Sequence, residues 1–272
     1  MNRTQKAVAA CGGDTWVGSL GMVAIWPWPP VIVGVPRSRF TEDDYRFLCT
    51  VLQPGDFILS RAEPFKLSNW AIGRHGTAFI HLAVYTGTVR GQKDPRTGFV
   101  RKPKRVELSN QTPERFGSDT HIRTITHAVS EGVICEDILR LLNHSDRVAV
   151  VRPYFSTLQQ VSIISYALRR VGQPYNFDFT DKGPPATYCT ELGRLCCEHA
   201  GIEPPARVNI PVTLFGPFGK KGQVTLADSF IERFGLLACS MSCNDRPFWR
   251  RSYLGDQLRE FIAEAPDAAS PR

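Results

Sequence analysis

Cys189 is the residue whose setting suggests chemistry first. It follows a Gly- and Pro-rich loop, Lys182-Gly183-Pro184-Pro185, and stands where a helix should begin. Unpaired backbone N–H groups and the helix dipole favour an anion at such a point, so the expectation is a stabilised thiolate and a lowered thiol pKa. A thiolate nucleophile also needs a base and a group that polarises the base. His81 and His127 each fall mid-way along a strand-like run, and the two runs could be neighbours in one sheet. A single mid-strand histidine is more often a satisfied core or surface imidazole, so the three residues gain weight only as a set.

The elements that must position them can be read from periodicity. From Ala78 to Tyr85, Ile80, Leu82 and Val84 share one face, while Phe79, His81, Ala83 and Tyr85 share the other. A second strand is expected over 121–129, with Ile125, His127 and Val129 on one face, and others over Phe57–Ser60 and Arg147–Val151. Thr41-Glu42-Asp43-Asp44 opens a helix through Tyr45–Val51, and Gln53-Pro54-Gly55-Asp56 is a turn. Leu158, Val161, Ile164, Leu168 and Val171 recur at helical spacing and Gly172 supplies a stop. A further helix runs from Tyr188-Cys189 through Leu192 and Leu195 to Gly201, closed by Pro204-Pro205, and Leu254, Leu258, Phe261 and Ile262 suggest a last one. A sheet followed by helices is an α+β arrangement.

Composition narrows the class. The chain has 272 residues, 42% of them hydrophobic and 22% charged, which excludes disorder, collagen and coiled coil and allows a real core. The net charge of +7 is unevenly spread. Residues 90–107 hold seven basic side chains (Arg90, Lys93, Arg96, Arg101, Lys102, Lys104, Arg105) against Asp94 and Glu107. The chain thus carries one basic insertion and does not have the profile of a nucleic-acid binder. Eight cysteines at this length read as reduced thiols packed as small hydrophobes, not as a disulfide scaffold.

Residues 1–40 form an apolar, Pro-rich arm, residues 41–264 the main domain and 265–272 a flexible tail. Val8-Ala9-Ala10-Cys11 spells a lipoprotein box, but too few residues precede it for the apolar region of a signal peptide. The 20 uncharged residues from Trp16 to Val35 contain Pro27, Pro29 and Pro30, which bars one regular spanning helix. The expectation is an extended segment that docks on the domain, on other subunits or, through Trp16, Trp26 and Trp28, on a membrane. Without a signal peptide the product is expected in the cytoplasm when made, then within a virion or an exported assembly.

Several stretches resemble one family. Leu52-Gln53-Pro54-Gly55-Asp56-Phe57-Ile58 and Ile80-His81-Leu82-Ala83-Val84-Tyr85 are similar to the opening of the circularly permuted NlpC-type, papain-like hydrolases, in particular the YiiX/YebB-like branch. Thr126-His127-Ala128-Val129-Ser130-Glu131-Gly132-Val133 resembles the family's second core strand, Val171-Gly172-Gln173-Pro174-Tyr175-Asn176-Phe177 its G-x-P-Y-D-F turn, and Tyr188-Cys189-Thr190-Glu191-Leu192 its Y-C-S-E-L nucleophile motif. The resemblance covers roughly residues 50–240 in the permuted order, histidine before cysteine. It implies a permuted papain-like (NlpC-type) fold with an antiparallel sheet packed against helices. It further implies Cys189 as nucleophile, His81 as general base and the position of His127 as the orienting group. That branch commonly has a glutamate there, so His127 is a departure; the related lecithin retinol acyltransferase-like branch often has histidine. Glu131, four residues on, is a substitute carboxylate if a bulge shifts the register. Tyr188 is expected either beside the oxyanion site or simply packed, and Tyr175 and Phe177 either in the cleft floor or in packing roles.

What the resemblance implies is hydrolysis of an amide bond by thiolate attack, in bacterial cell-wall peptidoglycan, with no cofactor and no metal. Two alternatives stand beside it. One is a lipid-directed thiol hydrolase or acyltransferase at a membrane, and the other is an inactive papain-like structural subunit. A metal or iron–sulfur site from Cys239-x3-Cys243 with Cys196, Cys197 or His199 is disfavoured, because adjacent Cys196 and Cys197 point to different sides of a helix.

Overall fold

The strand Phe57–Arg61 (β1) is buried on both faces along its whole length, which explains why its sequence, FILSR, shows no polar alternation over its first three residues. It lies in the middle of a seven-stranded antiparallel sheet. In the computed structural model, residues 42–61, 77–93, 100–107, 122–129, 131–143, 145–176, 185–212 and 220–239 are described. The arm over 1–40, Phe177, the tip of the basic insertion, Cys243, the helix expected over 254–262 and the tail lie outside them.

Around β1 the sheet contains His81–Lys93 (β2), Val100–Glu107 (β3), Ile122–Val129 (β4), Gly132–Asp137 (β5), Arg147–Val151 (β6) and Ala238–Cys239 (β9). Their order is β5-β4-β2-β1-β6-β9, with β3 pairing the far half of β2. Arg207–Val212 (β7) and Lys220–Thr225 (β8) make a separate two-stranded ribbon. The helices are Glu42–Val51 (α1), Ile138–Asn143 (α2), Thr157–Arg169 (α3), Cys189–His199 (α4) and Asp228–Phe234 (α5).

Helices cover both faces of the sheet. On one, Phe57, Leu59, Leu82, Val84 and Val151 pack with Ile163 and Ala167 of α3, Leu192 and Cys196 of α4 and Phe230 of α5. On the other, Ile58, Ala83, Tyr85, Ile125 and Val150 pack with Leu48 and Leu52 of α1 and Leu141 and Leu142 of α2. The split of Leu82 and Val84 from Ala83 and Tyr85 is the expected alternation, but Phe79, which precedes the strand, packs with Leu82 and Val84 and not on the expected face. The α+β fold with an antiparallel sheet packed against helices is therefore as the sequence implies.

One face assignment differs. In α3 the buried residues are Ile163, Ile164, Tyr166 and Ala167, whereas Leu158 is 83% and Val161 40% exposed. The first two turns bury nothing, so the apolar stripe extends beyond the part of the helix that the sheet and α4 cover. Ser156 starts this helix with a capping box, accepting from Gln159 N–H while the Gln159 side chain accepts from Ser156 N–H. The Gln53–Asp56 turn is fastened to the end of β6. Asp56, fully buried, accepts from Arg152 Nε at 2.7 Å and Nη2 at 2.8 Å and from Gln53 N–H at 2.7 Å.

Candidate active site

Cys189 is the first residue of α4, and the residue before it, Tyr188, caps the helix in extended backbone without a side-chain hydrogen bond. The amides of the first turn therefore remain free to serve another acceptor. The Cys189 sulfur sits against the backbone N–H groups of Cys189 itself, Thr190 and Leu82. Leu82 follows His81 in the chain, so the thiol meets β2 at the peptide that joins those two residues.

Three contacts fix this approach. Gly193 lets α4 lie close on β2, since a Cβ there would stand 2.7 Å from Leu82 Cδ2 and 2.9 Å from Phe230 Cζ. Thr190 Oγ1 donates to Thr225 O at 2.5 Å, and Tyr188 Oη accepts from Thr225 N–H at 3.1 Å. The G-x-P-Y turn is pinned just upstream: Thr187 N–H donates to Pro174 O and Asn176 N–H to Thr187 O. The entry to β2 is held by Asp228 at the start of α5, which accepts from Ala78 N–H at 2.5 Å and Phe79 N–H at 2.9 Å.

The histidines lie on a diagonal across the sheet. Ala83 pairs with His127 and His127 with Ile134, so His81, two residues before Ala83, and Glu136, two after Ile134, share a face with His127. His81 Nε2 stands 2.8 Å from His127 Nδ1. His127 Nε2 stands 3.0 Å from Glu136 Oε1, with the ring N–H aimed off the line of centres, so the contact is an electrostatic pair more than a well-aligned hydrogen bond. Glu136 Oε2 is 3.2 Å from Arg140 Nε on α2. His127 and Glu136 are buried; His81 is partly exposed.

The structure thus brings His81 and His127 together as the sequence implies, and adds a carboxylate that it did not. The substitute suggested by sequence, Glu131, lies in the turn between β4 and β5; the carboxylate that reaches His127 is Glu136. The stretch from Thr126 to Val133 is not one strand but a strand, a turn and the start of β5. Gly132 makes that turn, at φ +112° and with its Cα so close to Gln173 that a Cβ would stand 2.3 Å from the Gln173 carbonyl oxygen. Val133 N–H donates to Gln173 O and Gly172 N–H to Val133 O, which ties β5 to the G-x-P-Y turn. Glu131-Gly132 followed by alternation was the signal available in the sequence.

The expectation of a lowered thiol pKa is corrected. Burial pushes the Cys189 thiol up to about 11, and the amides of Leu82, Thr190 and Cys189 offset only part of that rise. His81 moves the other way, held well below the usual imidazole value by burial and then by positive charge on His127; protein atoms crowd its ring although an edge reaches solvent. The resting pair is therefore neutral thiol and neutral imidazole, and the base acts during the reaction. Tyr175 is packed against the core near Cys189, its phenol pushed well above the ordinary value by burial and then by negative charge on Cys189 and Glu191. Tyr188 is 3% exposed with its hydroxyl engaged by Thr225, which gives it a packing duty.

Residues 51–238 match the family model described as permuted papain-like amidase enzyme, YaeF/YiiX, C92 family. The chain belongs to that family. It is a papain-like cysteine hydrolase of the amidase type, and its family membership agrees with the permuted order of His81 and Cys189. Among solved structures, the crystal structure of metalloprotein yiiX from Escherichia coli O157:H7 is similar to this chain, with 18% identity over 70% of this chain and 96% of that one and a TM-score of 0.45. No curated protein matches. Among the described residues, no group of three or more His, Cys, Asp or Glu side chains is placed to hold a metal ion. Cys49, Cys135, Cys189, Cys196, Cys197 and Cys239 are free thiols.

Proposed function

We propose that this amidase cleaves peptide-type amide bonds of bacterial cell-wall peptidoglycan, with Cys189 as nucleophile and His81 as general base. The observation that carries the reading is the thiol at the start of α4, set against backbone N–H groups beside His81, whose ring is backed by His127 and Glu136. His81 takes the thiol proton as sulfur attacks the carbonyl, then delivers it to the leaving amine; water resolves the thioester by the reverse use of the same base. The amides that face the sulfur are the natural donors to the oxyanion.

The basic insertion supports an anionic polymer as substrate. Its pairing of β2 with β3 sets Arg90 directly opposite Arg105 and Gln92 opposite Arg101. A stretch this basic suits a wall polymer that carries negative charge along its length. In this reading the protein reaches the wall within an assembly onto which the 1–40 arm docks.

The test is incubation of the full chain with purified sacculi, alongside anionic phospholipid vesicles, with products read by mass spectrometry. New amine termini from sacculi, absent with Cys189→Ala, support the reading. Release of fatty acid from the vesicles with intact sacculi would replace it with the lipid-directed alternative.

A further inference from the structure

Glu136 belongs to no motif of the nucleophile or the base, yet it ends a line of polar atoms that begins at His81. Two 3 Å steps connect them: His81 Nε2 to His127 Nδ1 at 2.8 Å, and His127 Nε2 to Glu136 Oε1 at 3.0 Å. A carboxylate only accepts, whereas each neutral imidazole has one donor and one acceptor nitrogen. That asymmetry sets the direction of the whole line.

A lone pair on His127 Nε2 would face carboxylate oxygen at 3.0 Å inside the protein, which is repulsive; an N–H there is attractive even off the ideal angle. His127 therefore carries its proton on Nε2 and leaves Nδ1 as acceptor. His81 must then donate from Nε2, which leaves its Nδ1 lone pair for a proton arriving from elsewhere. On the hydrolase reading that proton comes from Cys189, whose sulfur meets the N–H of Leu82, the residue next to His81 in the chain. Arg140, 3.2 Å from the other carboxylate oxygen, holds Glu136 aimed at His127.

We propose that Glu136 is the positioning residue of this site, acting through His127: it fixes both histidines in their Nε2–H form and makes His127, not His81, the seat of the positive charge when Cys189 ionises. The inference rests on Cys189 and His81 acting as the hydrolase reading has them. The step balances without a further reactant. The Sγ–H bond breaks and an Nδ1–H bond forms on His81; the His81 Nε2–H bond breaks and an Nδ1–H bond forms on His127. Sulfur is then negative, His81 neutral and His127 an imidazolium against the Glu136 carboxylate. A charge on His127 is held 3.0 Å from the Glu136 carboxylate, whereas a charge that stayed on His81 would face only the thiolate it came from.

Nitrogen NMR of the full chain with 15N-labelled histidine reads tautomers directly, with His81→Gln and His127→Gln identifying the two signals. At neutral pH the account expects Nε2–H and bare Nδ1 on both rings. An Nδ1–H form of either in the unaltered protein overturns it and needs no folded variant at Glu136. Glu136→Gln offers an amide that can donate as well as accept, so His127 should lose its single tautomer and iodoacetamide labelling of Cys189 should slow by roughly tenfold or more. Unchanged tautomers and rate would also overturn it. Cys189→Asp places a fixed anion near the thiolate position; the doubly protonated ring should be His127, and finding His81 instead would refute the relay. Cys189 labelling that ignores His81→Ala while the tautomers hold would count against the hydrolase reading, which separates the two failures.

Discussion

The carboxylate of Glu136 reaches the imidazole of His127 from the neighbouring strand, two positions along β5 from the residue that pairs with it. The family's usual glutamate is missing from the position of His127, but a carboxylate is not missing from the site. The departure in sequence is answered in space by β5, whose pairing with β4 begins at Val129 and Gly132. The predictions below test the pieces that hold this geometry.

Gly132→Ala should strain the site from its far end. The residue has φ +112° and a Cβ would stand 2.3 Å from Gln173 O, so both the backbone and the neighbouring turn must shift. The expected loss is about 1–3 kcal/mol of stability, read as a lower denaturant midpoint. Activity should fall further than stability, because β5 carries Glu136. A midpoint equal to that of the parent would contradict the described turn.

Asp228 should make stability depend on pH. Its carboxyl is raised to about 6 from an ordinary 3.8, chiefly by burial, with the Ala78 and Phe79 amides pulling the other way. A raised folded-state pKa means the folded form binds the proton more tightly. The associated stability is present below about pH 4 and is lost as pH rises through 6, by roughly 3 kcal/mol for a shift of this size. Asp228→Asn should flatten that slope between pH 4 and 6 in denaturant titrations. An unchanged slope would show that Asp228 is not its source.

Tyr188→Phe separates packing from catalysis. The variant loses the bond from Thr225 N–H, which should cost about 1–2 kcal/mol of stability. Cys189 reactivity should stay within a few-fold of the parent at temperatures where both are folded. A loss of a hundredfold or more in turnover with stability intact would instead place the Tyr188 hydroxyl at the reacting atoms.

Much of the site was legible in the sequence because its parts are local. The alternation around His81 and His127, the Gly-Gln-Pro-Tyr turn and the helix start at Cys189 each follow from neighbours in the chain. Glu136 was not legible, because its place depends on cross-strand register, which sets it two positions beyond the residue that pairs with His127. The thiol pKa was misjudged for a different reason. The helix start is visible in sequence, but the burial that outweighs it comes from tertiary packing around the thiol. Leu158 and Val161 teach the same lesson, since periodicity marks an apolar stripe but not how much of it another element covers.

The most direct test of the Cys189–His81 pair is the rate of iodoacetamide labelling of each cysteine from pH 6 to 10, resolved by peptide mass spectrometry, in the parent and in His81→Ala. With a thiol raised to about 11 and a base held below its usual range, Cys189 labelling should be slow near pH 6 and climb steadily without a plateau near neutrality. It should still exceed that of buried Cys135, Cys196 and Cys197, and should lose that advantage, by tenfold or more, in His81→Ala. Labelling of Cys189 no faster than those thiols, or unaffected by His81→Ala in folded protein, would contradict the account.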